Sequence, residues 1–406
     1  MKSGLLGRVG EKKKRGKGST MSDRDGKSRG PTQPEPIRGD AGAPIIGPTN
    51  PAREAESPSR LAPPETDHGT LPSLKWSFAD CHNRLQPGGW ARQATGRELP
   101  IAQALNCVNM RLKGGAIREL HWHKPDEWGF VIKGRIRVTA VDESGRTFVD
   151  DVGEADVWNF PGGIPHSIQG IEGEGSEFLL VFNDGNFNED ETFLLTDFLA
   201  HMPKEVLVKN FGVAESAFAN IPKKLYIFQS KLTGSLAADR VAGAGPVPLT
   251  YSHRLIAQEP IHTKSGAVGI VDSSNFPAAK MIAGRLVEVE PGGMCELHWH
   301  PNSDELQYYI EGQARMTVYA SGSDAQTFDY QGGDVGYVPK SMPHYVGSSG
   351  ATRLRYLELW QSDHFADVSL AQVVGVYTVR TMKAHLNIDR SVLASVSTQE
   401  APVVGG

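Results

Sequence analysis

A duplication sets the frame for this sequence. The run RELHWH at residues 118–123 returns as CELHWH at 295–300, and the residues downstream of the two copies match in kind and order. Glu127 and then His166, behind PGGIP, come after the first; Glu305 and then His344, behind PKSMP, come after the second. The repeated object is a whole folding unit, not a module of roughly 20–50 residues, which argues against a stacked solenoid. A chain of 406 residues has room for two such units in tandem.

Within each unit, short alternating runs are separated by turn signals. RIRVTAV (135–141) alternates with period two, and DESG (142–145) marks a hairpin. The second unit repeats the order of pieces from YYIEG (308–312) to PHYV (343–346). Strand-rich units of this size remove their open edges by closing into a small barrel or sandwich. Each ends in a helix-like stretch, where Leu194 and Phe198, then Leu370 and Val374, stand four apart and predict an amphipathic face. Residues 1–70 are instead rich in Pro, Gly, Ser and charge, and read as a flexible tail and arm with no core of its own. With SLAADRVAGAGPVPLT (235–250) as linker, the division is 1–70 tail and arm, 71–232 first domain, and 233–406 second domain with a helical tail.

Several function classes drop out. A net charge of −5 gives no general affinity for nucleic acid or anionic membrane, and no apolar run approaches the roughly 18–20 residues of a spanning helix. Cys81, Cys107 and Cys295 form neither a disulfide framework nor a zinc pattern, so a cytoplasmic, disulfide-free protein is expected. The N-terminus is basic with only Leu5 and Leu6 as an apolar core, unlike a secretory signal. Met21 is an alternative start, and Lys12–Arg15 reads as part of a solvated tail.

The repeated histidines carry the chemistry. On a strand, residues i and i+2 share a face, so His121 and His123 project together and Trp122 faces away. Glu127 and His166 complete a set of three imidazoles and one carboxylate, which suits a borderline-to-hard divalent ion such as manganese, iron or nickel. Such a set leaves two octahedral positions open for catalysis. His298, His300, Glu305 and His344 form the second set, with one more residue before the glutamate. A lone HxH is commonly surface or core; two, each with its glutamate and third histidine in matching order, are read as metal sites.

These motifs resemble those of the cupin superfamily. GAIRELHWHKPDEWGFVIKG, from Gly115 to Gly134, and GGMCELHWHPNSDELQYYIEG, ending at Gly312, fit its first motif. The second motif appears at Pro161, Gly163 and His166, and at Gly333, Pro339 and His344, with Ala155 and Ser341 standing where glycines belong. From about Pro36 to Leu386, runs such as NMRLKGGAIRELHWH, FPGGIPHSIQG and HFADVSL make the chain similar to the bicupin oxalate decarboxylases.

That resemblance implies a mainly β protein of two jelly-roll (double-stranded β-helix) cupin barrels with short helical tails, the N-terminal arm packing on the second barrel. It implies two Mn2+ per chain, dioxygen as co-catalyst, oxalate converted to formate and CO2, and a homo-oligomer, trimer or hexamer. It puts Glu189, in NEDE (188–191), at the glutamate of a mobile lid, although the family's usual lid is Ser-Glu-Asn-Ser. The extra acid is expected to oppose closure over an anion, which favours an oxidase producing peroxide as the alternative; a non-catalytic metal-binding bicupin is a second. Arg118 is implied as the residue gripping the distal carboxylate. In a regular strand it would face away from the metal and Glu119 would face in, so a bend or bulge near 115–119 is expected. The family carries an arginine where this chain has Cys295, so the first barrel is expected to be the principal site. Glu358 is implied as a second-site proton donor, or else the buried partner of a basic residue. Trp158 and Trp299 are matched to tryptophans facing each other across a subunit boundary.

Overall fold

The computed structural model describes residues 34–171, 173–241 and 243–405. Met21 and Lys12–Arg15 lie outside the described residues. Each half is a pair of antiparallel sheets. In the first, Thr147–Gly153, Arg135–Val141, His166–Gly170 and Ile117–Trp122 form one sheet; Val157–Phe160, Glu127–Lys133, Ser176–Phe182, Asn106–Leu112 and Gly89–Ala94 form the other. The second half repeats this with Ala325–Gln331, Gln313–Tyr319, His344–Ser348 and Met294–Trp299 against Asp334–Val338, Glu305–Glu311, Leu354–Trp360, Ala283–Val289 and Gly266–Val271. This is the mainly β, two-barrel architecture expected from the repeat.

Alternation fills the barrel interiors. Ile136, Val138 and Ala140 of one strand are each at most 1% exposed. Glu127–Phe130 is buried on both faces because it lies between its own barrel and the next. Trp128 faces outward onto Gly284 of the second barrel, where a Cβ would sit 2.9 Å from the indole. Asn159 Nδ2 also crosses between barrels, donating to the Ala278 carbonyl at 3.0 Å.

The halves exchange edge strands. Ser252–His253 closes the first barrel's sheet on Val157–Phe160, and Lys75–Ser77 closes the second barrel's on Asp334–Val338. Each addition caps a row of unpaired backbone groups. The arm before Lys75 lies on the second barrel: Ser59 donates to Asp329 from backbone (2.7 Å) and hydroxyl (3.1 Å), and Asp67 accepts from Thr327.

The helical tails are short, as expected, but do not bury the predicted face. They are broken into short pieces, Leu195–Ala200 with Lys204–Phe211, and Leu370–Val376 with Val379–Leu386. Phe198 is 46% and Leu370 40% exposed, so the four-residue spacing does not mark a buried face in this chain. Among the described residues, no helix is long and apolar enough to cross a membrane.

Two turns have kept a glycine conformation without glycine. Ala155 (φ 63°) and Ser341 (φ 66°) are left-handed, as are the glycines at the corresponding places of the other half, Gly333 (φ 89°) and Gly163 (φ 81°). A side chain there costs roughly 1–2 kcal/mol. Ser341 is exposed, and a Cβ on Gly163 would meet nothing within 4 Å, so both isolate the backbone term. Ser341→Gly is expected to stabilise the protein and Gly163→Ala to destabilise it, each by about 1 kcal/mol. Thermal or denaturant unfolding of both variants measures this; equal stabilities would overturn it.

Candidate metal centres

A bulge sets the geometry of each site. His121 pairs with His166 but Arg118 with Ile168, so Ile117–Trp122 carries one more residue than its neighbour in that interval. The second half repeats the shift between Cys295–Val346 and His298–His344. The irregularity lies just beyond the interval inferred from sequence and has the inferred effect: the residue three before the first ligand histidine turns to that histidine's face. Glu119 is correspondingly turned away. Its carboxylate accepts from the backbone N–H groups of Thr196 (2.7 Å), Tyr226 (2.8 Å) and Leu225 (3.3 Å).

His121, His123, Glu127 and His166 converge, as do His298, His300, Glu305 and His344; within each set the ligand atoms lie within 4.8 Å of one another. All eight residues are buried. Every imidazole is aimed by a backbone carbonyl at its Nδ1: Glu119, Pro125 and Ile164 in the first barrel, Glu296, Ala366 and Met342 in the second, at 2.7–3.0 Å. With Nδ1 donating, each Nε2 lone pair faces the centre. The buried Nε2 atoms of His166, His298, His300 and His344, and Glu305 Oε2, have no hydrogen-bond partner. A divalent cation satisfies all of them, so the donor sets fit one.

The protonation states fit as well. Burial holds the His121 and His298 imidazoles well below their ordinary range. Burial alone would raise the Glu127 and Glu305 carboxyls, but the flanking imidazoles hold both low. Neutral imidazoles and ionised carboxylates are what a metal requires. His344 goes the other way, because the Glu305 charge outweighs burial.

The two barrels support the ligand glutamate differently. Trp158 Nε1 donates to Glu127 Oε1 at 3.0 Å, and Gln307 Nε2 donates to Glu305 Oε1 at 2.8 Å. By register, Gly129 faces Trp158 in one barrel and Gln307 faces Gly336 in the other, so donor and glycine have exchanged strands. A Cβ on Gly129 would lie 2.1 Å from the indole. Trp158 is therefore fully buried beside a ligand, correcting the expectation that it faces a neighbouring subunit. Trp299 is half-buried at the end of its strand.

Around the first centre the structure gathers Arg118 and Glu189. Arg118 donates from Nε (2.9 Å) and Nη2 (2.5 Å) to Glu189 Oε1, and from Nη2 to Thr192 Oγ1 (3.0 Å). Its guanidinium lies 4.3 Å from the Tyr226 ring centroid, and its buried Nη1 has no partner. Glu189 Oε2 accepts from Arg84 Nη2 at 2.9 Å and from the Tyr226 hydroxyl. Arg84 also pairs with Asp190, so part of the added charge of residues 188–191 is answered by a neighbouring cation. Glu189–Glu191 is a 3-10 turn, capped by the Asn188 side chain, which accepts from the Asp190 N–H.

Around the second centre, Cys295 occupies the place of Arg118. Its thiol is fully buried, 2.9 Å from the Tyr356 hydroxyl, and burial with the nearby Glu358 pushes it up to about 12. Glu358 pairs with Arg285 (Nε to Oε2, 2.5 Å), and burial outweighs that pairing to raise its carboxyl. Sequence reasoning missed Arg84, Tyr226 and Arg285. Only Arg285 left a signal, as a charged residue on the apolar face of AGRLVEV (283–289).

The cupin family model matches residues 79–217 and 254–393. The chain is 56% identical to the oxalate decarboxylase OxdC of Bacillus subtilis over 91% of this chain and 97% of that protein. It is 37% identical to a probable oxalate decarboxylase of Arthroderma benhamiae, over 89% and 91%. A structure of the Bacillus subtilis enzyme at pH 4.6 superposes with TM-score 0.90 at 54% identity, covering 93% of this chain and all of that one. Another, solved in work on the Mn(II) centres of that enzyme, gives 0.90 at 55% identity, covering 92% and 99%.

The indole-to-carboxylate bond yields a test. Trp158→Phe is expected to weaken metal binding at the first centre by about 10–100-fold and leave the second unchanged. Competition with a graded chelator, fitted to two sites, measures both; parallel loss at both centres, or none, would refute it.

Proposed function

The chain belongs to the cupins and, within them, to the bicupin oxalate decarboxylases, and we propose that its principal reaction centre is the one in the first barrel. The protein is a carbon–carbon lyase that converts oxalate to formate and CO2. It has two His3Glu metal-binding sites. On this proposal both hold manganese, through His121, His123, Glu127 and His166 and through His298, His300, Glu305 and His344, and the reaction uses dioxygen. When bound, the metal would anchor one carboxylate as a Lewis acid and, with dioxygen, supply the one-electron withdrawal that makes the C–C bond labile.

The observation that carries the assignment is the buried Arg118–Glu189 pair. Arg118 commits Nε and Nη2 to Glu189 and keeps Nη1 buried without a partner. An arginine fork suits a carboxylate, so Arg118 is the proposed grip on the distal end of oxalate. Glu189 is the proposed proton carrier. Hydrogen oxalate becomes CO2 and formate with no net change in protons: the one that leaves oxygen is the one that ends on carbon. A single carboxylate can take and return it.

Tyr226, Arg84 and Thr192 hold Glu189 beside Arg118. Tyr226 does so from a left-handed backbone (φ 81°), an uncommon conformation for a bulky residue, pinned by the Glu119 carboxylate. The 3-10 turn carrying Glu189 is short and its Glu191 is exposed, features that support reading it as a lid. Glu358 is proposed as a proton-handling residue of the second site. Cytoplasmic residence and a trimeric or hexameric assembly complete the reading; three free cysteines support the first and the family resemblance the second.

The test is product analysis. The wild-type protein should release one formate per oxalate consumed. Glu189→Gln should lose formate production by about 100-fold or more while keeping its metal. Residual turnover is expected to shift towards peroxide, which a coupled peroxidase assay reads. Undiminished formate from Glu189→Gln would remove that residue from the mechanism.

A further inference from the structure

We infer that the second centre binds a small carboxylate through Arg285, a guanidinium delivered from a different strand from the one that supplies Arg118 to the first. The inference rests on reading that centre as a metal site of the same enzyme, and goes beyond it in naming the residue that makes it a ligand site.

Nothing cationic reaches this centre from the strand that serves the first. Cys295 stands at the place of Arg118, across the same register shift, with its thiol against the Tyr356 hydroxyl. Arg285 enters from Ala283–Val289 instead. It lies directly opposite Glu358, which lies directly opposite Gln307. Two residues along the same strands, Ala283, Trp360 and Glu305 form the next row. Opposed residues share a face, as do residues i and i+2, so Arg285 and Glu358 project into the barrel with the ligand Glu305. The guanidinium lies 4.8 Å from the Phe365 ring centroid and 5.8 Å from that of Trp360. The same two rings lie 6.1 and 4.9 Å from the His300 imidazole.

The first barrel shows that the fold does not require this pair. There the corresponding opposed residues are Val108 and Leu180, both buried and apolar. Replacing such a pair by two buried charges carries a desolvation penalty for each ion, and well-packed apolar side chains commonly do as well or better. Glu358 is also incompletely satisfied. Arg285 Nε and Nη2 both go to Oε2, while Oε1 is buried with no partner. A buried acceptor beside a guanidinium matches a carboxylic acid group that accepts from the arginine at its carbonyl oxygen and donates its O–H to the glutamate. Hydrogen oxalate, held to the metal by its ionised end, presents that combination at the other. Formate shares the carboxylate without the second acid group.

Anaerobic calorimetry on the full chain loaded with manganese tests this, titrating oxalate and, separately, formate. The wild-type protein should bind two oxalates per chain. The double variant Arg285→Val, Glu358→Leu, which copies the first barrel's own packing, should retain two metals and bind one oxalate. Arg285→Lys keeps the charge and pairing but loses the fork; its second oxalate should weaken by about tenfold or more, with Tm unchanged. Formate saturating the second class of site with oxalate still excluded would reassign the ligand to a monocarboxylate and overturn the oxalate form. One oxalate per wild-type chain, or a second oxalate indifferent to both variants, would overturn the inference while leaving the first centre's assignment standing. No oxalate bound by the wild type would overturn the functional reading itself.

Discussion

Everything distinctive about this molecule depends on lone pairs that the fold forces together and leaves unsatisfied. Six imidazoles are each turned by a backbone carbonyl at Nδ1, so that their Nε2 atoms converge on two buried points, each with one carboxylate. Without a cation those points hold buried acceptors with no donor, which protein interiors rarely tolerate. The strand bulges, the PGGIP and PKSMP turns and the ligand glutamates at strand starts can all be understood as placing these atoms. The barrel is thus a frame whose interior is complete only with an ion in it.

Given one backbone solution, the two halves fill it differently. The donor to the ligand glutamate is an indole from one strand in the first barrel and an amide from the opposing strand in the second. The buried arginine that pairs with a glutamate lies on the ligand strand in the first barrel and on the other sheet in the second. In both comparisons the kind of group persists and the residue position does not. Residue-by-residue transfer between repeats would therefore miss Arg285 and misplace Trp158, whereas comparing the groups that face each centre recovers both.

Much of this was legible in the sequence because period-two alternation and the HxH repeat encode faces directly. The two barrels, the eight converging side chains and the need for a bulge near Arg118 follow from spacing and from the family resemblance. What escaped were interactions made across large sequence distances, which no local pattern records. Arg84 reaches Glu189 from an edge strand more than a hundred positions earlier. Tyr226 comes from a strained position after the helical tail. The tails themselves misled: Phe198 and Leu370 are spaced like core residues yet exposed.

The traded edge strands have a consequence for how the chain is made and inherited. Lys75–Ser77 leaves the ribosome early, but its sheet partner, Asp334–Val338, is about 260 residues downstream. The second barrel's last hydrogen-bond row thus waits for most of translation. Conversely, Ser252–His253 returns to finish a barrel synthesised before it. A gene split at the linker would give two products, each lacking a piece carried by the other. Whatever duplication produced the repeat, the unit that can now be passed on intact is the pair.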